Sequence, residues 1–285
     1  MKTGIVLEGG AFRTVFSCGV TDAFMQFGIL PDYMIGVSAG AAYGISYASG
    51  QPGRSYDIIM NYSNDKRYMG IKNFFAPDNR SYYGLKFAYD TIPNELVPFD
   101  YEAYRHYNGT FEAVMTNVIT GRAEYMCVSP DDKEFKILQA TCALPGLFPL
   151  IFINGKPYLD GGIADSIPVE RAFSQGCDRV VVVLTRQPGY RKDTSLLTKA
   201  IALMYGNKYP MLAKSLLTRA QKYNRCLDKL EQYEKEGRIL IIRPKCTDNF
   251  SRTERDLVKI DTLYRDGLSQ GVEIAEKVKN FYGMN

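Results

Sequence analysis

The stretch Asp32-Tyr-Met-Ile-Gly-Val-Ser38-Ala-Gly40-Ala-Ala-Tyr-Gly44 decides the fold. A short apolar run, fit for a strand, enters Gly-x-Ser-x-Gly, and small residues of helical character leave it. That order describes a sharp strand-to-helix turn that lifts one serine hydroxyl above the sheet edge, with the serine backbone held in a strained conformation. Gly36 and Gly40 leave room where strand and helix come closest. The helix start behind Ser38 adds N–H groups and positive dipole, which favour developing negative charge. The bland alternative is a βα turn carrying an ordinary serine.

Gly267-Leu-Ser269-Gln-Gly271 matches the same pattern without the same context. Leu257, Ile260, Leu263 and Tyr264 precede it at helical spacing, so no strand enters the turn. Its glycines are expected to mark a break between two helices.

Upstream of Ser38, Thr3 to Glu8 reads as a strand and Gly9-Gly10-Ala11-Phe12-Arg13 as a glycine turn. A helix through Val15, Cys18, Gly19, Asp22, Ala23 and Phe24 ends at Gly28. This β-turn-α-β-turn-α opening predicts a parallel sheet with right-handed crossovers. Ligands of such sheets sit beyond the carboxyl ends of the strands, where both turns fall.

Downstream, eleven of the forty residues from Tyr68 to Tyr107 are aromatic, among them Phe74, Phe75, Tyr82, Tyr83, Phe87 and Tyr89. Pro77, Pro93 and Pro98 punctuate the stretch. It reads either as the wall of an apolar pocket or as an irregular segment anchored by its rings. Thr110–Ile119 and Ala123–Val128 form a hairpin around Thr120-Gly-Arg122. Phe135 to Ala143 is a helix stopped by Pro145. Asn154-Gly155 turns a second hairpin, which delivers Asp160-Gly161-Gly162 at its end. Pro168 opens another helix with Asp165 or Ser166 as N-cap. Arg179 to Thr185 is a buried central strand.

Between Arg186 and Arg238 there are 12 Lys/Arg against 5 Asp/Glu, an excess larger than the +4 of the whole 285-residue chain. Leu212, Leu216, Ala220, Tyr223, Leu227 and Leu230 draw one apolar stripe along a long amphipathic helix there. Two readings follow. The stripe packs on the sheet beneath solvated lysines, or Lys214, Arg219 and Lys222 meet an anionic membrane surface. A last strand, Arg238–Arg243, and helix from Thr253 to about Phe281 close the chain. With no linker and no repeat, residues 1–285 read as a single α/β domain. Its motif-bearing core is 3–185, its basic helical region 186–238, and its terminal strand and helices 238–285.

The 46% hydrophobic and 23% charged content is that of a soluble globule. No apolar run reaches spanning length. The start, Met1-Lys-Thr-Gly-Ile-Val-Leu-Glu8, is not expected to serve as a standard secretory signal, and Cys18, Cys127, Cys142, Cys177, Cys226 and Cys246 show no pairing pattern. These features place the protein in the cytoplasm, with room for peripheral contact at the inner membrane face. The six cysteines are expected to be reduced and mostly buried.

The one histidine, His106, argues against a histidine-based metal site. Dinucleotide and P-loop readings fail, because neither glycine pattern occurs. The Gly9-Gly10-Ala11 turn can instead offer backbone N–H groups to a developing alkoxide, each worth about 3 kcal/mol in a transition state. Arg13 lies just past it, placed to hold the turn or to meet an anionic head group. The serine needs a base. His106 sits in a polar Tyr-Arg-His-Tyr-Asn-Gly stretch of loop character. Asp160 is the better candidate, presented at a strand end with two glycines behind it that allow close approach, though an Asp-Gly turn is its plain alternative.

Together these residues resemble the bacterial patatin-like phospholipases. The matching pieces are Glu8-Gly-Gly-Ala-Phe-Arg13, Gly36-Val-Ser-Ala-Gly40, Ala140-Thr-Cys-Ala-Leu-Pro145-Gly-Leu-Phe-Pro149 and Tyr158-Leu-Asp-Gly-Gly-Ile163, in the family's order, within Thr3 to Thr185. The resemblance implies a three-layer sandwich with a mainly parallel central sheet. It also implies a Ser38–Asp160 dyad, an oxyanion hole from Gly9, Gly10 and Ala11, and hydrolysis of lipid acyl esters without metal or other cofactor. Arg13, Gly36, Gly40, Gly161 and Gly162 would support that site. The expected partner is a lipid or acyl-ester substrate, not a nucleic acid. The other class of function on the same fold is a non-catalytic lipid- or acyl-binding module. Two positions depart from the family, which usually has glycine where Ala11 stands and a small residue where Thr14 stands. The hole survives if the backbone angles at Ala11 suit a residue with a Cβ.

Overall fold

The computed structural model describes residues 1–76 and 79–284, so Pro77 lies outside the described residues. Eight strands form one sheet in the order β5-β6-β3-β2-β1-β7-β8, with β4 paired to β3. In chain order they are β1 (Thr3–Leu7), β2 (Tyr33–Val37), β3 (Thr110–Asn117), β4 (Ala123–Cys127), β5 (Ile151–Ile153), β6 (Lys156–Asp160), β7 (Arg179–Val183) and β8 (Ile239–Ile242). The helices are α1 (Val15–Gln26), α2 (Ala39–Ala48), α3 (Arg54–Tyr62), α4 (Tyr101–Arg105), α5 (Lys136–Cys142), α6 (Val169–Ser174), α7 (Leu196–Gly206), α8 (Pro210–Lys235) and α9 (Leu257–Tyr282).

Strand alternation sorts the core into two faces. Ile5 and Leu7 of β1 pack with Phe16, Val20, Ile260 and Val278 of α1 and α9. Val6 of β1 and Val180 and Val182 of β7 pack on the other face with Val169, Tyr223, Leu227 and Leu230 of α6 and α8. The stripe on α8 therefore faces inward, as the first of the two readings expects, and Leu212, Leu216, Ala220, Tyr223, Leu227 and Leu230 are all buried. β8 extends the sheet by pairing with β7 in parallel. The hydroxyl of Tyr282, at the end of α9, donates to the Gly4 carbonyl at 2.6 Å.

One detail of pairing positions the site. β2 runs parallel to β3 and ends with Val37 opposite Val114. β6 comes along the same edge of β3 from the other direction and ends with Asp160 opposite Met115. The carboxyl ends of β2 and β6 thus meet head to head, which brings Ser38 and Asp160 together.

Three local expectations need correction. Gly267 and Gly271 do not break a helix, because both lie inside α9. A Cβ on Gly267 would sit 2.0 Å from the Phe16 carbonyl oxygen of α1, so these glycines serve close helix packing rather than a turn. The helix after Pro168 has no side-chain N-cap. Asp165 accepts instead from the Tyr125 hydroxyl at 2.9 Å, and the Ser166 hydroxyl donates to the Gly162 carbonyl at 2.8 Å. All six cysteines are free, but Cys127 and Cys246 are exposed.

Candidate active site

Ser38 occupies the junction between β2 and α2 with φ 53° and ψ −130°, far from the helical and extended regions. The tight junction requires both flanking glycines. A Cβ on Gly36 would lie 2.5 Å from the Ala41 Cα, and one on Gly40 2.3 Å from the Leu7 carbonyl oxygen. The backbone N–H of Ser38 donates to the Thr141 hydroxyl at 2.8 Å, and that hydroxyl donates to the Val114 carbonyl at 2.5 Å. Thr141 belongs to the quoted Ala140–Pro149 motif, yet its spacing gives no sign that it anchors the serine backbone.

Asp160 is 2% exposed. Its Oδ1 accepts from the Gly162 N–H at 2.8 Å. Oδ2 is buried and has no hydrogen-bond partner among the described residues. Burial pushes the carboxyl above its ordinary value. The Arg219 charge, the neighbouring Ser38 side chain and the Gly162 N–H pull the other way. A Cβ on Gly161 would meet the Val114 carbonyl oxygen at 2.1 Å, and one on Gly162 would lie 3.1 Å from both Asp160 Oδ1 and an Arg219 nitrogen. The glycine pair lets β3 and α8 close on the carboxylate.

The Gly9-Gly10-Ala11 turn lines the same cleft as Ser38 and Asp160. Among the described residues, the amides of these three find no backbone acceptor. A Cβ on Gly9 would lie 2.9 Å from that of Ser38, which measures how closely the turn passes the serine. Ala11 has φ 50°, in the left-handed region that favours glycine. Its methyl group costs about 1 kcal/mol there and leaves its N–H in place. Glu8 holds the turn from behind. It accepts from the Thr185 N–H at 2.7 Å and from the Tyr223 hydroxyl at 2.8 Å. Arg13 is 5% exposed and also lines the cleft.

Ser38 stands between two pockets of opposite character. An apolar one is lined by Phe12, Tyr43, Tyr68, Tyr83, Phe135 and Phe148, among others. The 68–107 stretch supplies much of its wall, including Ala88, Tyr89, Ile92 and Pro93 from a π-helical segment at Phe87–Leu96. Phe74, Phe75 and Tyr82 are not part of it, and Phe75 is largely exposed. The other pocket is polar, and Ser38, Ala11 and Leu144 line both. Cys142 also lines the apolar pocket, but burial pushes its thiol up to about 12, which disarms it as a competing nucleophile. His106 is exposed at the end of α4, its Nδ1 2.7 Å from the Glu102 carbonyl oxygen, and it lines neither pocket.

Arg219 does not face outward with Lys214 and Lys222. Its Nε donates to the Gly162 carbonyl and its guanidinium lines the polar pocket. Arg186, Lys192 and Arg252 line it too. None of these four was singled out for the site by its own position in the chain. The charge excess of 186–238 is the one sequence signal for Arg186, Lys192 and Arg219, and it does not reach Arg252.

A serine on a strained strand-to-helix turn, above a mainly parallel sheet and beside a glycine turn, defines a class of α/β protein with one exposed hydroxyl. The model of the patatin-like phospholipase family matches residues 5–173, and the chain belongs to that family, with its three-layer sandwich. A domain of unknown function matches residues 209–283. The chain is 28% identical over 198 residues to the uncharacterized protein YjjU of Escherichia coli (strain K12), covering 65% of this chain and 52% of that protein. It is 27% identical over 306 residues to lysophospholipase NTE1 of Coccidioides immitis (strain RS), covering 99% of this chain and 18% of that one. It thus spans about half of the first relative and under a fifth of the second. The crystal structure of VipD from Legionella pneumophila aligns with 97% of this chain and 67% of its own, at 14% identity and a TM-score of 0.46.

Proposed function

We propose that the chain is a serine acyl-ester hydrolase acting on lipids, with Ser38 as nucleophile and Asp160 as base. The observation that carries this reading is the convergence of Ser38, the unpartnered Oδ2 of Asp160 and the free amides of the glycine turn at the junction of an apolar and a polar pocket. The acyl chain enters the apolar pocket. Ser38 Oγ attacks the ester carbonyl carbon as its proton passes to Asp160, and the Gly9-Gly10-Ala11 amides receive the oxyanion. The alcohol leaves with that proton, and water then releases the acid by the same route. Lysophospholipases among the relatives support a lipid ester as substrate.

Among the described residues no cluster of His, Cys, Asp and Glu is arranged to hold a metal ion. Turnover of a short p-nitrophenyl ester and of a lysophospholipid is therefore expected to proceed unchanged in EDTA. Loss on chelation with rescue by calcium would contradict the dyad as the whole machinery. Bound fatty acid without turnover of any ester would leave the acyl-binding module in its place.

Contact with an anionic membrane surface belongs to the same proposal, with Lys214 and Lys222 kept from the basic residues of α8 and Arg219 left out. No helix among the described residues is long and apolar enough to cross a membrane. α7 exposes Leu196, Leu197, Leu203 and Met204, and on α8 Lys214 and Lys222 are exposed. Co-sedimentation with anionic vesicles at low salt, released as salt rises, is the expected result. Indifference to such vesicles would remove the membrane from the account.

A further inference from the structure

The polar pocket beside Ser38 is lined by five cationic side chains, Arg13, Arg186, Lys192, Arg219 and Arg252, against two carboxylates, Glu8 and Asp160. Glu8 is occupied by Thr185 and Tyr223. Among the described residues none of the five forms a salt bridge, whereas their neighbour Arg191 pairs with Asp228 at 2.7 Å. Arg13 is almost fully buried, and its Nε has no hydrogen-bond partner among the described residues. An unpaired, desolvated guanidinium is costly, so its burial calls for an anion.

Several of these residues are held beside the cleft by contacts with their neighbours. The Arg186 guanidinium stacks on Tyr190 at 4.4 Å, and Lys192 Nζ lies 3.9 Å from the centre of the Tyr223 ring. Arg219 is tied to the Gly162 carbonyl, and the Arg252 carbonyl accepts from the Phe12 N–H at 3.3 Å. The summed field registers on the lysine. Burial first, then the Arg219 and Arg252 charges, pushes the Lys192 ammonium down to about 7. Burial with Arg186 and Arg252 lowers Arg13 to about 10. The space open to oxygen-sized atoms is about 60 Å³.

We propose that this pocket binds the phosphate of the substrate's alcohol half, so that the ester cut at Ser38 belongs to a lipid with an anionic phosphate head. Several guanidiniums suit a phosphate's oxygens better than a single carboxylate. A neutral glycerol head would leave the cations unpaired, and a quaternary ammonium would have to point out to solvent. Four of the five residues lie beyond the 5–173 stretch of the family match, and Arg219 and Arg252 fall within 209–283. The C-terminal part of the chain therefore supplies head-group selectivity to the acyl site. The proposal rests on the hydrolase reading for its substrate but not for its binding step.

The test has a kinetic arm and a binding arm. In the first, lysophosphatidate and monoacylglycerol with the same acyl chain are compared as substrates of the wild type and of Arg186→Gln, Lys192→Gln and Arg252→Gln. Wild type is expected to favour lysophosphatidate. Each variant should reduce that preference about 10- to 100-fold, chiefly through KM, as expected for loss of a charge-assisted hydrogen bond. In the second arm, calorimetry at low salt follows glycerol 3-phosphate and inorganic phosphate binding to Ser38→Ala, with and without Arg186→Gln. Glycerol 3-phosphate binding that Arg186→Gln weakens supports the pocket even if no ester is turned over, an outcome that would sink the hydrolase reading alone. Binding of inorganic phosphate without any preference among the esters would overturn the head-group assignment. So would equal turnover of both lipids with no binding of either phosphate.

Discussion

Replacing Ser38 by Ala is expected to lower ester hydrolysis by about 10⁴- to 10⁶-fold, and Asp160→Asn comparably, because the proposed nucleophile and base would act as one unit. His106→Ala leaves most of the activity, since that ring lies outside both pockets. Steady-state kinetics on a soluble ester decide between these outcomes. A His106→Ala enzyme as inactive as Ser38→Ala would replace the dyad with a triad. Asp160 also predicts a pH limb. As the proposed base it would accept the serine proton only when ionised, and burial raises its pKa, so kcat/KM is expected to fall with acid above the ordinary carboxylate value of about 3.9. The same shift fixes the sign on stability. A raised folded pKa favours the fold below the ordinary value, and that contribution is lost as pH rises through the raised one. At neutral pH the charged form is therefore a cost. Asp160→Asn keeps an acceptor for the Gly162 N–H and is expected to melt no lower than wild type.

Gly40→Ala is expected to destabilise the protein by about 3 kcal/mol and to take hydrolysis with it. The added Cβ would sit 2.3 Å from the Leu7 carbonyl oxygen and 2.8 Å from that of Glu8. Both are backbone atoms at the end of β1, which is paired on both sides to β2 and β7. Neither can yield by a rotamer change, so α2 must lift away from the sheet and carry Ser38 with it. Urea unfolding followed by circular dichroism measures the loss. Gly50→Ala is a control, with nothing within 4 Å of its Cβ, although its positive φ carries a strain of its own. A Gly40→Ala protein with the wild-type midpoint would mean that the elbow is looser than these distances imply.

Local pattern carried most of the fold. The strands before Ser38 and Asp160, both hairpins and the central β7 announce themselves through alternation, valine runs and Asn-Gly. Asn154 and Gly155 both take the positive φ that such a turn demands. Gly267 and Gly271 misled because a glycine in sequence looks the same whether it breaks a helix or lets another helix touch it. Their partners on α1, Phe16 for Gly267 and Val20 and Ala23 for Gly271, are about 250 residues away, and only the tertiary fold brings them near. Ser38 and Asp160 were legible because each sits at a strand end with its own glycines. Their meeting depends on β2 and β6 sharing one edge of β3, a long-range pairing that no short motif encodes. The same reason hid Arg186, Lys192, Arg219 and Arg252. Composition revealed their charge, but a helical stripe says only which face is apolar, and Arg219 reaches the cleft from beside that stripe.

The most direct test of the central claim is covalent labelling by a fluorophosphonate, with the modified residue located by mass spectrometry. One label per chain, on Ser38, is expected, lost in Ser38→Ala and strongly slowed in Asp160→Asn. Ser269 matches the same sequence pattern inside α9 and should stay unmodified. A folded protein that leaves Ser38 unlabelled, or that takes its label at another residue, would contradict the assignment of Ser38 as the nucleophile.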